Sequence, residues 1–365
     1  MSILSPAVPA LNAFTRPLIE ALSRHPKRIV FTEGEDLRVL KAAAQLVAAK
    51  AGTPILLGDK QRIRALAAEN GIALTFINVI DPEKSSDFDL FCQRVTNMAR
   101  YREMQVGDAR EIVARPHYFG ALMVQYGQAD ALVGGNQALP STLFRALINT
   151  IKPIAGVQKI FGAMVLVGDH LKHLGGSGVL FLADCALTPQ PEINQLAAIA
   201  LETGKLAHHF LGRTAHVALL SHSTKGSAST DEARRIIAAT AIAKETAEKQ
   251  FLDLDIDGEL QADVALDPAA AEVKLADAKV RATADVLVFP NLDAAHISLK
   301  LLQHVAGAQG YGQLILGLAR PAAQVPRTAS VETIFGTAAA VAPISRWLPP
   351  CRRTRRLALP LRQIA

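Results

Sequence analysis

HVALLSHSTKGSAST, His216 to Thr230, begins with residues too apolar for the surface and too few for a helix, then turns abruptly to hydroxyls and glycine. A helical pattern opens directly behind it at Asp231. The order is buried strand, polar turn, helix start, the unit from which α/β sheets are built. A helix start leaves backbone N–H groups unpaired and carries roughly half a positive charge. Ser221, Ser223, Thr224, Gly226 and Ser227 in front of it are therefore expected to cradle a phosphate or another anion. Ser229, Thr230 and Asp231 also suit plain helix capping. Neither a P-loop nor a Gly-x-Gly-x-x-Gly fingerprint occurs in the chain, so generic nucleotide motifs lend no support.

Working outward, the same alternation fills the chain. RIVFTEGED (Arg28–Asp36), TPILLGD (Thr53–Asp59), FINVID from Phe76 and DALVGG (Asp130–Gly135) read as strands of a first parallel sheet. Glu33, Gly34, Gly58 and Gly134 fall at its carboxyl ends, where ligands bind in such sheets. GVLFLADCAL (Gly178–Leu187), HVALLS, IDGELQADVAL, DVLVFP (Asp285–Pro290) and QLILGLARP (Gln313–Pro321) continue the series. Helices are expected at Leu37–Ala51, Tyr118–Tyr126, Glu192–Phe210, Asp231–Lys249 and Val331–Val341, and Ile297, Leu301 and Val305 recur on one face of another.

A length of 365 residues favours two domains over one. The formal charge of +6 lies wholly in the last twenty residues, where Arg346, Arg352, Arg353, Arg355, Arg356 and Arg362 have no acid to balance them. With residues 1–345 neutral and aromatics at 5%, no basic, stacking face for nucleic acid is expected. The tail, residues 346–365, lacks helical or strand periodicity. Cys92, Cys185 and Cys351 share no metal or redox spacing, and His208 with His209 lacks acid or thiol partners, so no metal is expected. No signal segment or membrane-length apolar run appears, which fits a cytoplasmic protein.

Taken together, RIVFTEGED, PILLGD, ADALVGG, LFLADCALTPQPEINQLA, VALLSHSTKGSA, DIDGELQADVAL and VFPNLDAAHISLK resemble, in order and spacing, the phosphate acetyl- and butyryltransferases. LSHSTKGS, PNLDAAHISLKLL and ASVETIF resemble the phosphotransacetylase-like C-terminal portion of bacterial NADP-dependent malic enzymes. The resemblance implies two doubly wound α/β domains with a cleft between them, as in isocitrate and isopropylmalate dehydrogenases. Residues 1–155 with 312–345 would form the first and residues 156–311 an inserted second, through which a homodimer forms.

The implied ligands are coenzyme A or acetyl-CoA and phosphate, with no further cofactor. Arg145 and Arg327 match arginines that meet phosphate; Asn291 and His296 fall in a cleft segment with Ser221, Ser223, Thr224, Gly226 and Ser227. Pro326 and Thr333 stand where active members carry a serine donor and an aspartate base, and Thr188 and His296 replace asparagines. Glu332 is the nearest substitute base, about 100° around a helix from Thr333. A proline donates no hydrogen bond and a threonine is no base near neutral pH. These departures imply an acetyl-CoA-binding sensor with a degenerate site, a malic enzyme being the regulated partner. The alternatives are a working phosphate acyltransferase and a detached fragment.

Overall fold

A computed structural model describes residues 7–346 apart from 99–107, 156, 158, 176–177 and 276–282. The basic tail, including Cys351 and the arginines from Arg352 onward, lies outside the described residues.

Among the described residues eleven strands form one sheet: β1 (Lys27–Phe31), β2 (Gly52–Leu57), β3 (Asn78–Ile80), β4 (Ala131–Gly134), β5 (Phe161–Val167), β6 (Val179–Ala183), β7 (Ala215–Leu220), β8 (Leu254–Leu260), β9 (Val286–Val288), β10 (Gln309–Leu316) and β11 (Ala322–Gln324). Their order is β3-β2-β1-β4-β11-β10-β5-β6-β9-β7-β8. The first five are mutually parallel, as are β6, β9, β7 and β8. Between them β10 runs antiparallel to both β11 and β5, and β5 antiparallel to β6. The sheet is therefore mixed where sequence alone suggested parallel pairing, and its two parallel groups point in opposite directions. FGAMVLV (β5) and AAQ (β11) were not foreseen as strands; both are wholly buried, so neither alternates apolar with polar residues as a half-buried strand does.

Helices cover both faces. One face carries a single continuous core in which Phe31, Val133, Phe181, Val217 and Tyr311 are joined through the helices Leu37–Ala48, Val331–Val341, Ile193–Leu211 and Asp231–Lys249. The opposite face carries two larger cores, apart from a small cluster of Ile112, Tyr118 and Ala146. Val30, Leu132 and Ile315 pack under Pro116–Gln125 and Pro140–Thr150, whereas Met164, Leu182 and Leu287 pack under Leu292–His304. The break in that apolar layer lies over β10 and β5, between Pro140–Thr150 and Leu292–His304.

Local chemistry explains the helix ends. Asp36, Asp59, Asn291 and Ser330 accept hydrogen bonds from the backbone two or three residues on, each closing an otherwise unpaired helix N–H. Thr230 caps with its hydroxyl on the Ala233 N–H at 3.2 Å, and a reciprocal capping box joins Glu192 to Gln195. On Leu292–His304 the buried residues are Ala295 and Leu299. The Ile297, Leu301 and Val305 row, regular as it is, faces outward and is 59%, 55% and 81% exposed.

Gly336 marks a close approach between layers, because a Cβ there would lie well inside van der Waals contact of Cε1 and Cδ1 of Tyr311, itself 1% exposed. Helix propensity favours alanine over glycine by about 1 kcal/mol. Overpacking costs typically 1–3 kcal/mol, and a buried ring leaves little relief. Gly336→Ala is therefore expected to lower the urea midpoint of unfolding despite its better helix propensity.

Candidate functional site

The strand ends are organised by buried carboxylates. At the carboxyl end of β1, Glu33 accepts from Gly135 N (2.8 Å), Asn136 N (2.9 Å), Ala138 N (3.0 Å) and Gln137 N (3.3 Å), and meets His117 Nε2 at 3.3 Å. The loop after β4 thus curls around a side chain from the neighbouring strand, at the point where β2 lies to one side of β1 and β4 to the other. This is the switch point at which open α/β sheets bind ligands.

Asp36 extends the network. It accepts from Asn136 Nδ2 at 2.8 Å and Gln137 Nε2 at 3.1 Å, and pairs with Arg38 at 2.7 Å. Arg38 in turn donates to the carbonyls of Asn136 (3.1 Å), Arg327 (2.7 Å) and Ala329 (3.0 Å). One guanidinium therefore fastens the loop after β11 to the loop after β4. The backbone of Arg327 is fixed by this contact while its side chain stays exposed. Arg145 is also exposed, in the second turn of Pro140–Thr150, the helix that the Glu33-bound loop leads into. Among the described residues neither guanidinium has an ion-pair or hydrogen-bond partner.

Asp184 plays the same part after β6, accepting from Gly162 N, Ala186 N, Leu187 N and Thr188 N at 2.7–3.2 Å. Glu259 does so at the end of β8. It accepts from Gly226 N at 2.7 Å and from Ser223 Oγ at 3.0 Å. The same carboxylate thus engages the serine-rich turn. Ser223 is 0% exposed, its hydroxyl also accepts from Ala228 N at 3.0 Å, and Ser227 Oγ accepts from Thr224 N at 3.0 Å. Thr224 Oγ1 is engaged with Gln261. The donors expected to cradle a phosphate are held by the protein's own carboxylate and backbone, and Ser221 is left at the rim.

The remaining residues fall in three places. Asn291 caps Leu292–His304 through Ala294 N at 2.9 Å, and His296 lies exposed on that helix one turn before Lys300. The Lys300 charge reaches the thiol of Cys185, which burial holds far above the ordinary thiol range. Asn291 and the serine turn lie at carboxyl ends of the β6-to-β8 group, which points opposite to the group bearing Arg327; no described hydrogen bond or ion pair joins the two sets. Thr333 is half-buried, with its hydroxyl 3.1 Å from Ser330 Oγ in the helix cap. Glu332 is exposed and pairs with neither arginine. Burial pushes the Tyr311 hydroxyl up, opposed by the Asn12 amide and reinforced by Glu332, so that carboxylate acts toward Tyr311.

Sequence reading placed Glu33 at a strand end without giving it a role, and missed Arg38, Asp184 and Glu259. An acid within two residues of an apolar strand, in FTEGED, LADC and DGEL, is the signal that would have found the three carboxylates.

Burial raises the Glu33 carboxyl, but His117 and the loop N–H groups outweigh it, and the net pKa lies below the usual range. Asp36 behaves alike, with Arg38 overcoming burial. Groups with depressed folded pKa values stabilise fully above their unfolded value of about 4 and lose that contribution as pH falls through the folded value. Urea midpoints are expected to hold from neutral pH down to about 5 and to fall below about 4. A Glu33→Gln variant should show a weaker acid-side decline.

The family model for phosphate acetyl/butaryl transferase matches residues 13–342. A phosphate acetyltransferase of Acetivibrio thermocellus is 34% identical over 330 residues, covering 90% of this chain and 97% of its own. One from Staphylococcus aureus is 35% identical over 320 residues, covering 87% and 94%. Among solved structures, a phosphotransacetylase from Streptococcus pyogenes superposes with a TM-score of 0.83 at 30% identity, over 93% of this chain and 100% of that one. EutD phosphotransacetylase from Staphylococcus aureus gives 0.81 at 34%, over 91% and 98%. The fold alone extends to dehydrogenases: a Salmonella typhimurium chain assigned as a 4-hydroxythreonine-4-phosphate dehydrogenase gives 0.50 at 15%, over 87% and 99%.

Proposed function

The chain belongs to the phosphate acetyl/butaryl transferase family, and on that footing we propose that it moves an acetyl group between phosphate and coenzyme A. The relatives named phosphate acetyltransferase match it over nearly their whole length. The observation that carries the proposal is the pairing of a fixed Arg327 backbone with an exposed guanidinium that has no partner among the described residues. Glu33, Asp184 and Glu259 already take the N–H groups of the loops they organise, and we assign recognition of the phosphate dianion to side-chain cations. Arg145 and Arg327 supply them, and a guanidinium donates to phosphate in a fork.

In the proposed reaction the coenzyme thiolate attacks the carbonyl carbon of acetyl phosphate. A C–S bond forms, the C–O bond to phosphate breaks, and the departing phosphate keeps that electron pair. The arginines neutralise the charge that grows on it. Glu332 is the carboxylate nearest in sequence to the base position, and Ser221, Asn291 and His296 line the coenzyme's approach from the second strand group. Two α/β domains, residues 1–155 with 312–345 and residues 156–311, then flank the break in the apolar layer. The outward row of Ile297, Leu301 and Val305 supports a homodimer formed through the second. A cytoplasmic location accords with these substrates.

A second reading is favoured by Thr333, whose hydroxyl is spent on the helix cap and leaves no base at that position. It makes the protein an acetyl-CoA sensor, with a malic enzyme as regulated partner. The deciding experiment measures acetyl-CoA formation from acetyl phosphate and coenzyme A on protein shown by calorimetry to bind the coenzyme. Turnover by the native chain, changed less than about tenfold by Pro326→Ser with Thr333→Asp, is the expected result. Coenzyme binding without turnover, with activity appearing only in the double variant, establishes the sensor instead.

A further inference from the structure

Phe251 is 94% exposed and held at φ +52°, a left-handed conformation that favours glycine. Its backbone is closed into the turn after Asp231–Lys249 by Phe251 N on Glu248 O (3.1 Å) and Leu252 N on Ala247 O (2.9 Å). The ring stands at the mouth of a cavity of about 680 Å³. That size lies in the range of small-molecule sites. One wall is apolar: Pro153, Ile154 and Ala319 come from the two segments where the chain leaves and rejoins the first strand group. They are laced together by Ile154 N on Gly317 O at 2.9 Å and Ala319 N on Lys152 O at 2.7 Å. The facing wall is one side of Ile193–Leu211, where Glu202, Lys205 and His208 follow each other at one-turn spacing, and the second lining carboxylate, Asp253, is engaged by the Thr214 hydroxyl at 2.5 Å and lies 3.7 Å from His208 Nδ1. Lys205 gives one of its three donors to Glu202 at 2.7 Å, leaving two for a ligand.

We propose that this cavity is a second ligand site, separate from the transfer site, for a small anion with a flat apolar body. The body stacks on Phe251 against the Pro153 wall, and its anionic group takes the free donors of Lys205. The site lies at the amino end of β11, whereas Arg327 follows its carboxyl end, so occupancy does not depend on the transferase reading.

Phe76 provides an internal control, being 76% exposed at φ +64° yet lining no such cavity among those described. The probe is anilinonaphthalenesulfonate, an aromatic anion whose fluorescence reports binding. Glycine suits both left-handed positions, so Phe251→Gly and Phe76→Gly remove the rings without disturbing the fold. The native chain is expected to bind one probe saturably. Phe251→Gly and Lys205→Met should each weaken it at least tenfold, Phe76→Gly should leave it unchanged, and coenzyme A should not displace it. Equal affinity in Phe251→Gly, displacement by coenzyme A, or no saturable binding to the native chain overturns the proposal.

Discussion

Replacing Arg327 with glutamine is expected to lower kcat/KM for acetyl phosphate by a factor on the order of 100 to 1,000, the usual loss when one stabilising donor is removed from a developing charge. The fold should be untouched. The side chain is exposed and unpaired among the described residues, while the backbone carbonyl that Arg38 holds survives the change. Steady-state formation of acetyl-CoA measures the effect, with circular dichroism as the control for structure. Arg327→Lys should recover only part of the loss, since an ammonium keeps the charge but not the planar fork. A glutamine variant as active as the native chain would remove Arg327 from the chemistry and leave Arg145 as the remaining cation.

The largest loss of stability is expected from Glu33→Ala. The carboxylate receives four backbone N–H groups, and those of Gly135 and Asn136 are buried with no other acceptor in the network. Each buried donor left unmade costs about 1–3 kcal/mol, so for these two a destabilisation of roughly 2–6 kcal/mol follows, read as a lowered urea midpoint. Because the same loop leads into the helix that carries Arg145, activity should fall further than stability alone accounts for at temperatures where the variant stays folded. Unchanged stability would mean that water or another group serves those donors.

The two expectations differ in how far the sequence could carry them. Strands such as RIVF and HVALL announce themselves by apolar runs bounded by turn residues, and the helix Asp231–Lys249 falls on its expected limits. What the sequence withholds is pairing. The partners of Glu33 stand about a hundred positions away, and only the register of β1 against β4 brings them to 2.8–3.3 Å. The serine-rich turn shows the converse: its hydroxyls were legible as donors, but not that Glu259, thirty-six residues beyond Ser223, would take them. Periodicity also gives no sign of direction. The Ile297, Leu301 and Val305 row is as regular as any core face, and only the sheet's position shows that it points away.

The place of β11 has a consequence for how the chain is made. It lies hydrogen-bonded beside β4, yet Gly134 and Ala322 are separated by the whole of the second strand group. A nascent chain emerging from the ribosome exposes β4 as an open edge until residue 324 has been synthesised. Pairing across such a sequence distance is slow, because the intervening loop must close before any contact rewards it. Early termination anywhere in between would release chains with that edge uncovered, and self-association through β4 is the failure such truncated products are expected to share.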